Sequence, residues 1–318
     1  MHTRSLLAIL ATAGPAVVEA QLNSLARAAG LEYFGTALGE GQTGDSQYMS
    51  IASDTDEFGQ LTPENGQKWD SVEPNQGQFN YDNGDIVPNV AARNGQILRC
   101  HTLTWHSQLP SWVSSRSWSR EELQSVIEVH IANVVGHYKG KCYHWDVVNE
   151  AADDSGGWRS SVFYNTLGTD FLPISFNAAK AADPDAGLWY NDYNLEMRGH
   201  LIVGTTPTRE QLADTLRRFT ALGVDVAYTE LDIRHESMPP SDQALATQGD
   251  DYANVVGSCL DVGGCVGVTV WGYTDKYSWI PGTFPGTGAA LLWDENFNKK
   301  PAYTSVSSVL AAAATAAP

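Results

Sequence analysis

Two short segments of the chain place carboxylates directly after apolar runs. Residues 145–150 read Trp-Asp-Val-Val-Asn-Glu, and residues 228–232 read Tyr-Thr-Glu-Leu-Asp. The apolar runs predict buried strands that close with Asn149, Glu150 and Glu230. In a parallel α/β barrel the carboxyl ends of all strands meet at one face, where catalytic residues are found.

Two carboxyl groups that face each other across such a face suit hydrolysis of a glycosidic bond. One protonates the leaving oxygen, while the other attacks the anomeric carbon or activates water. Most glutamates are simply exposed surface groups. Glu150 and Glu230 both stand at the ends of predicted buried strands, and Asn149 directly precedes Glu150. The catalytic interpretation is therefore favoured.

Other predicted strand ends carry groups that can bind sugars. Amides, acids and cations bond hydroxyl groups, and an indole ring stacks on the apolar face of a pyranose. Any single tryptophan could equally serve in core packing. The candidate binding residues of this kind are Glu64, Asn65, Lys68, His101, Trp105, Trp271 and Trp279.

The elements that position these residues alternate along the chain. Alternation of strand-like and helical patterns over about 290 residues indicates a parallel α/β protein, either a (β/α)8 barrel or a doubly wound sheet. The predicted strands are residues 33–38, 59–63, 96–105, 143–149, 187–192, 224–229 and 266–271. Helices are predicted at 45–58, 170–182, 241–260 and 302–313, with two more opened by Ser119 and by Thr206-Pro207. No Pro/Ser-rich linker divides the chain, so residues 21–310 are predicted to form one domain, followed by a low-complexity tail at 311–318 that is expected to fray.

Composition excludes several classes of partner. The 318 residues include 19 Lys and Arg against 37 Asp and Glu, a net charge of −18 without any basic cluster. Nucleic acid and anionic membranes require clustered cations, so neither is expected as a partner. The chain also lacks the usual zinc motifs, so no metal is expected. Because hydrolysis by Glu150 and Glu230 needs only their carboxyl groups, no cofactor is expected either.

The first twenty residues resemble a secretory signal peptide. Arg4 precedes a mostly small and apolar run at 6–18, and Ala20 closes the segment. The run is too short for a membrane span. We therefore expect cleavage before Gln21 and a secreted, extracellular protein.

Four cysteines fit an oxidising compartment. Cys259 and Cys265 bracket a glycine-rich turn, which predicts a local disulfide. Cys100 and Cys142 each begin an apolar strand-like run, which allows either a disulfide between neighbouring strands or two buried thiols.

These motifs together resemble the family 10 glycoside hydrolases, the fungal endo-β-1,4-xylanases, over residues 22–310. The matching segments are TPENGQKWD at 62–70, HTLTWHSQLPSW at 101–112, WDVVNE at 145–150, YNDYN at 190–194, TELD at 229–232 and VWGYTD at 270–275. The resemblance implies a (β/α)8 barrel that hydrolyses xylan with retention of anomeric configuration. A monomer is expected.

Site roles also follow from the resemblance. Glu150 would be the acid/base, Glu230 the nucleophile, and Asn149 the partner of the sugar 2-hydroxyl. Asp232 would orient His200, which supports the nucleophile. The tryptophans and polar residues named above would build the glycone subsites, and retention requires carboxyl groups about 5–5.5 Å apart.

One departure from the family pattern falls after Asn194. Five residues separate it from His200, whereas parallel neighbouring strands need a crossover of a dozen or more. Helix five and most of strand six are therefore predicted to be absent, with Arg198 nearest to the place of a family glutamine beside the nucleophile. Two alternatives stay open: an impaired or inert barrel from a mis-spliced or truncated gene model with residual sugar binding, and the same mechanism on β-1,4-glucan.

Overall fold

The computed structural model describes residues 21–193 and 200–316, and within them the chain forms one eight-stranded parallel sheet. The predicted signal segment and Arg198 lie outside the described residues. The strands are β1 Tyr33–Leu38, β2 Gln60–Pro63, β3 Ile97–Trp105, β4 His144–Asn149, β5 Gly187–Asn191, β6 His200–Ile202, β7 Val226–Arg234 and β8 Cys265–Val270. Their order is β5-β4-β3-β2-β1-β8-β7-β6, an incomplete barrel in which β1 and β8 are neighbours.

Helices surround this sheet and cover its outer face. They are α1 Leu22–Ala28, α2 Ser46–Ala52, α3 Trp69–Val72, α4 Ile86–Asn94, α5 Ser111–Ser114, α6 Arg120–His137, α7 Val162–Leu167, α8 Phe171–Ala182, α9 Arg209–Thr220, α10 Asp242–Leu260, α11 Ile280–Thr283 and α12 Pro301–Ala316. Short 3-10 turns occupy Glu40–Gln42, Gly168–Asp170 and Asp275–Tyr277. Within the described ranges, no helix is long and apolar enough to cross a membrane.

Local capping explains where several helices begin. Ser119 and Glu122 form the predicted capping box at the start of α6. The prediction that Thr206-Pro207 opens α9 is wrong by two residues, because Thr208 and Gln211 form the capping box there. Helix α12 continues through Ala316, three residues beyond the predicted end of the helix at residue 313.

Helix α2 is much shorter than the predicted helix over 45–58. It ends at Ala52, and Asp54 then accepts a hydrogen bond from the backbone N–H of Asp56 through its side chain. Such local side-chain bonding competes with helical hydrogen bonds and favours a turn. At the other end, the Asp45 side chain accepts from the N–H groups of Gln47 and Tyr48 and caps the helix.

Strand β7 is longer than predicted. It runs to Arg234 rather than ending at Thr229, so Glu230 lies within the strand, four residues before its last residue. Charged residues usually argue against a strand interior. Here His200 contacts both Glu230 and Asp232, which compensates their burial and allows the strand to continue.

The sheet is open between β5 and β6. Eight residues, 192–199, connect these strands, and β6 pairs only with Asp232–Arg234 of β7. Among the described residues, the rest of β7 and the facing edge of β5 therefore have no strand between them. This agrees with the predicted loss of helix five and most of strand six.

A cavity of about 620 Å³ lies between β5 and β7. We call it the wall opening, and its lining includes Phe176, Trp189, Phe219, Val226 and Glu230. Its walls are mainly apolar because they are the surfaces that a complete strand six would cover.

Two disulfides connect the described cysteines. Cys259 and Cys265 pair as predicted, with Cα atoms 5.3 Å apart. Cys100 of β3 pairs with Cys142, just before β4, at a Cα separation of 5.7 Å. The alternative of two buried free thiols is thereby excluded.

Candidate active site

A cleft of about 690 Å³ opens at the carboxyl ends of the strands. Eleven of the predicted site residues line it: Glu64, Asn65, Lys68, His101, Trp105, Asn149, Glu150, His200, Glu230, Trp271 and Trp279. Asp232 is fully buried directly behind them. The eight-stranded sheet thus brings residues from six strands or their following loops into one cleft.

Glu150 stands immediately after β4 in the left-handed backbone region, with φ of +52°. Its N–H donates to the Asn191 carbonyl at 2.8 Å, and its own carbonyl accepts from Arg159 Nε at 3.1 Å. These two bonds hold a backbone conformation that non-glycine residues rarely adopt. The Glu150 side chain is therefore aimed by its neighbours.

The environment of Glu150 favours its protonated form. Burial, and then the negative charge of Glu230, raise its pKa to about 7, although a hydrogen bond from Trp105 Nε1 to Oε2 at 2.7 Å acts in the opposite direction. A carboxyl group with this pKa can donate a proton near neutral pH.

Glu230 has the opposite electrostatic character. Its Oε1 accepts from Asn191 Nδ2 at 2.6 Å, and Oε2 lies 3.2 Å from His200 Nε2. Burial acts to raise the pKa of Glu230, but the His200 hydrogen bond and the electrostatic interactions with His101 and His200 outweigh it and leave the pKa below its ordinary value. This carboxylate is ionised and available as a nucleophile.

His200 is held in place from behind. Its Nδ1 lies 2.9 Å from Asp232 Oδ2, and that oxygen also accepts from Trp279 Nε1 at 2.9 Å. Burial lowers the pKa of His200, but Asp232 and Glu230 together raise it to about 10. The imidazolium can therefore donate to both carboxylates at neutral pH.

The remaining predicted residues form a polar and aromatic wall. Lys68 Nζ donates to Asn65 Oδ1 at 3.1 Å and lies 4.7 Å from the ring centroid of Trp105. His101 Nδ1 lies 2.9 Å from Asp146, and its ring centroid is 5.1 Å from that of Trp271. This combination can bond sugar hydroxyls and cover a pyranose face.

Several residues in or next to the cleft were not assigned from the sequence. Asn191 ends β5 and bonds Asn149 Oδ1 as well as Glu230, a position that the strand-end argument could have selected. Arg159 lies in a loop without any distinguishing pattern. His106 Nδ1 lies 3.8 Å from Glu150 Oε2, and burial followed by the charge of Arg159 lowers the pKa of His106 to about 4.

The site has no metal-binding arrangement that the structure describes. Across residues 21–193 and 200–316, no group of three or more His, Cys, Asp or Glu side chains could hold a metal ion. The chemistry considered below uses only the side chains of the cleft.

The chain belongs to glycosyl hydrolase family 10. The family model matches residues 21–200 and 196–309, which together cover nearly the whole described chain. Endo-1,4-beta-xylanase 1 of Humicola insolens is 63% identical over 340 aligned positions, covering 98% of this chain and 79% of that protein. Endo-1,4-beta-xylanase 5 of Pyricularia oryzae is 55% identical over 324 positions, covering 93% of this chain and 80% of that protein.

Solved structures agree with this assignment. Xylanase 10B of Thermotoga maritima superposes with a TM-score of 0.88 at 36% identity, covering 93% of this chain and 100% of that one. Xylanase 10B of Thermotoga petrophila, solved with xylobiose, gives a TM-score of 0.86 at 37% identity, covering 91% and 97%.

The comparisons also locate the missing unit. An alignment of 340 positions exceeds the 318 residues of the chain, so the Humicola relative contains residues that this chain lacks. The family match breaks into two pieces at residues 196–200, between β5 and β6. The division of the family match thus coincides with the shortened connection that borders the wall opening.

Proposed function

We propose that this chain hydrolyses internal β-1,4-xylosidic bonds in xylan with retention of configuration, Glu230 acting as nucleophile and Glu150 as acid/base. The observation that carries the proposal is the opposite electrostatic character of the two carboxyl groups in one cleft. The pKa of Glu150 is raised to about 7, whereas the pKa of Glu230 is lowered. Retaining hydrolysis requires this pair, one carboxyl protonated and the other ionised.

The first step forms a glycosyl-enzyme intermediate. The Glu230 carboxylate attacks the anomeric carbon as the bond to the leaving oxygen breaks, and Glu150 transfers its proton to that oxygen. Because Asn191 bonds both Asn149 and Glu230, it fixes the nucleophile relative to the amide assigned to the sugar 2-hydroxyl. Such positioning lowers the entropic part of the barrier.

The second step hydrolyses the intermediate. Once Glu230 is esterified its negative charge is gone, which removes one cause of the raised pKa of Glu150. The ionised Glu150 then takes a proton from water, whose oxygen attacks the anomeric carbon and releases Glu230 as a carboxylate. No cofactor enters either step.

The proposed substrate is a polymer. We assign the glycone side to Glu64, Asn65, Lys68, His101, Trp105, Trp271 and Trp279, with His200 and Asp232 supporting the nucleophile. The cleft of about 690 Å³ is open to solvent rather than enclosed, which supports cleavage within a polymer.

The test is reducing-sugar release from purified xylan by the chain as written. Glu230→Gln and Glu150→Gln should each abolish release, while Glu121→Gln on the exposed face of α6 should not. Proton NMR should show the β-anomer as the first product. Inversion, or activity that survives Glu230→Gln, would contradict the mechanism. Parallel assays on cellohexaose and mixed-linkage glucan test the β-1,4-glucan alternative.

Secretion and a monomeric state complete the proposal. The signal-like segment 1–20 supports export of the chain. Residues 21–310 would then form the catalytic domain of the exported protein. N-terminal sequencing of protein exported by a fungal host should begin at Gln21. Light scattering of that product should give the mass of one chain, and a dimer would contradict the monomeric state.

A further inference from the structure

Arg234 places a positive charge in the cleft, further along β7 than the proposed nucleophile. It is the last residue of β7 and lines the cleft together with Trp279, Thr283 and Phe284. Glu230 precedes it by four residues on the same strand, about 13 Å at the usual strand rise. The half-buried guanidinium lies 4.2 Å from the ring centroid of Phe284.

The other cations in or next to the cleft have polar partners within the protein. Lys68 donates to Gln108 at 2.7 Å, Arg159 donates to Tyr193 at 3.0 Å, and His200 contacts Asp232. In the described part of the chain, the Arg234 side chain makes no hydrogen bond or ion pair, and its Nε is buried without a partner.

A half-buried charge without a partner is costly, because it loses hydration and gains no hydrogen bond. In a chain with 37 acidic residues, a carboxylate beside Arg234 would be easy to supply. The guanidinium instead lies over the Phe284 ring, at a residue that lines the cleft. This is the arrangement expected of a group whose anionic partner arrives with the ligand.

We infer that Arg234 binds the carboxylate of a uronic acid substituent carried by the polysaccharide, so that the enzyme prefers acidic over neutral stretches near the cleavage point. The inference rests on the proposed function and names a substrate class for the same cleft. A guanidinium matches a carboxylate with two parallel N–H donors, and carboxylates are the acidic groups that sugar residues themselves carry. Arg234 here is a specificity-determining residue rather than a catalytic one.

The test compares three oligosaccharides of equal backbone length. One is unsubstituted β-1,4-xylo-oligosaccharide, one bears a single glucuronic acid, and one bears the same substituent with its carboxyl reduced to an alcohol. Because the last two differ only in charge, the ratio of their kcat/KM values isolates the carboxylate. We expect this ratio to be about 5 in the wild type, as an accessible ion pair of good geometry allows, and to fall at high salt.

The same kcat/KM ratio is measured in three variants. Arg234→Met keeps the stacking on Phe284 and should bring the ratio to about 1, while Arg234→Lys should keep part of the preference. Arg120→Met, on the exposed side of α6, is the matched control and should leave the ratio unchanged. The inference would be overturned if the wild type and Arg234→Met gave the same ratio. It would also be overturned if Arg234→Met lowered kcat/KM equally on all three oligosaccharides.

Binding separates this inference from the proposed function. Calorimetric titration of the acidic and carboxyl-reduced oligosaccharides into Glu230→Gln, with and without Arg234→Met, needs no turnover. If the chain hydrolyses nothing, the proposed function fails, and the binding ratio still decides whether Arg234 recognises the carboxylate. Equal affinities for the two oligosaccharides would refute the recognition.

Discussion

Replacement of Trp105 by phenylalanine should move the alkaline limit of activity to higher pH. Trp105 Nε1 donates to Glu150 Oε2 at 2.7 Å, and this bond stabilises the ionised carboxylate. Phenylalanine keeps an aromatic face in the cleft and removes only the donor. The acid form of Glu150 is the active one, so activity is lost as pH rises through its pKa of about 7.

The size of the change follows from the strength of the lost bond. A hydrogen bond to a charged group is worth about 1.5–3 kcal/mol, and about 1.36 kcal/mol corresponds to one pH unit. The Glu150 side chain retains 12% exposure, so water replaces part of the lost bond and the lower value applies. We therefore expect the pKa to rise by about one unit, to about 8.

The assay is the pH dependence of kcat/KM on xylotetraose, which reports the acid/base group of the free enzyme. Trp271→Phe serves as the control, because Trp271 lies in the same cleft without bonding Glu150. It should weaken substrate binding and leave the alkaline limb in place. A limb that stays fixed or moves to lower pH in Trp105→Phe would refute this account of Glu150.

Three further predictions concern other contacts. Asn191→Asp places a second carboxylate against Glu230, so the pKa of Glu230 should rise and the acidic limb of the kcat/KM profile should move to higher pH. An acidic limb that stays at the same pH would contradict this. Replacement of Cys100 and Cys142 by alanine removes a 42-residue cross-link and should lower the free energy of unfolding by about 4 kcal/mol in urea titrations. Burial raises the pKa of Glu57 to about 7, so the folded state binds the extra proton and stability falls as pH rises from about 4.5 to 7. Glu57→Gln should flatten the melting temperature over that range, and an unchanged slope would count against it.

The sequence was sufficient to predict most strands because buried parallel strands are continuous apolar runs. Strand β1 has the predicted bounds, and most others differ by one or two residues. Strand β7 was cut short because Glu230 and Asp232 argue against a strand interior unless their partner, His200, is known to lie beside them. That partner belongs to a different strand, and such contacts depend on tertiary structure.

The site was predicted in the same uneven way. Residues that follow strands, such as Glu150 and Trp271, could be placed in the cleft because parallel strands end at one face. Arg159 could not be given a role because it lies in an irregular loop. Arg234 could not be given one because its distinguishing feature, a side chain without a polar partner among the described residues, is visible only in the structure. The absence of helix five and most of strand six could be predicted, because the five residues between Asn194 and His200 are too few for a crossover between parallel strands.

The opening between β5 and β6 has a mechanical consequence for the two proposed catalytic carboxyls. Glu150 follows β4 and Glu230 lies on β7, so the break in the sheet falls on the short path between them. Among the described residues, the strand ladders connect the two by the long path, through β3, β2, β1 and β8, while Asn191 bridges the short path by side-chain contacts. Small hinge motions along the long path would add up at the gap, so we expect the separation of the two carboxyls to vary more than it would in a closed barrel. Heating should therefore impair turnover before it melts the fold.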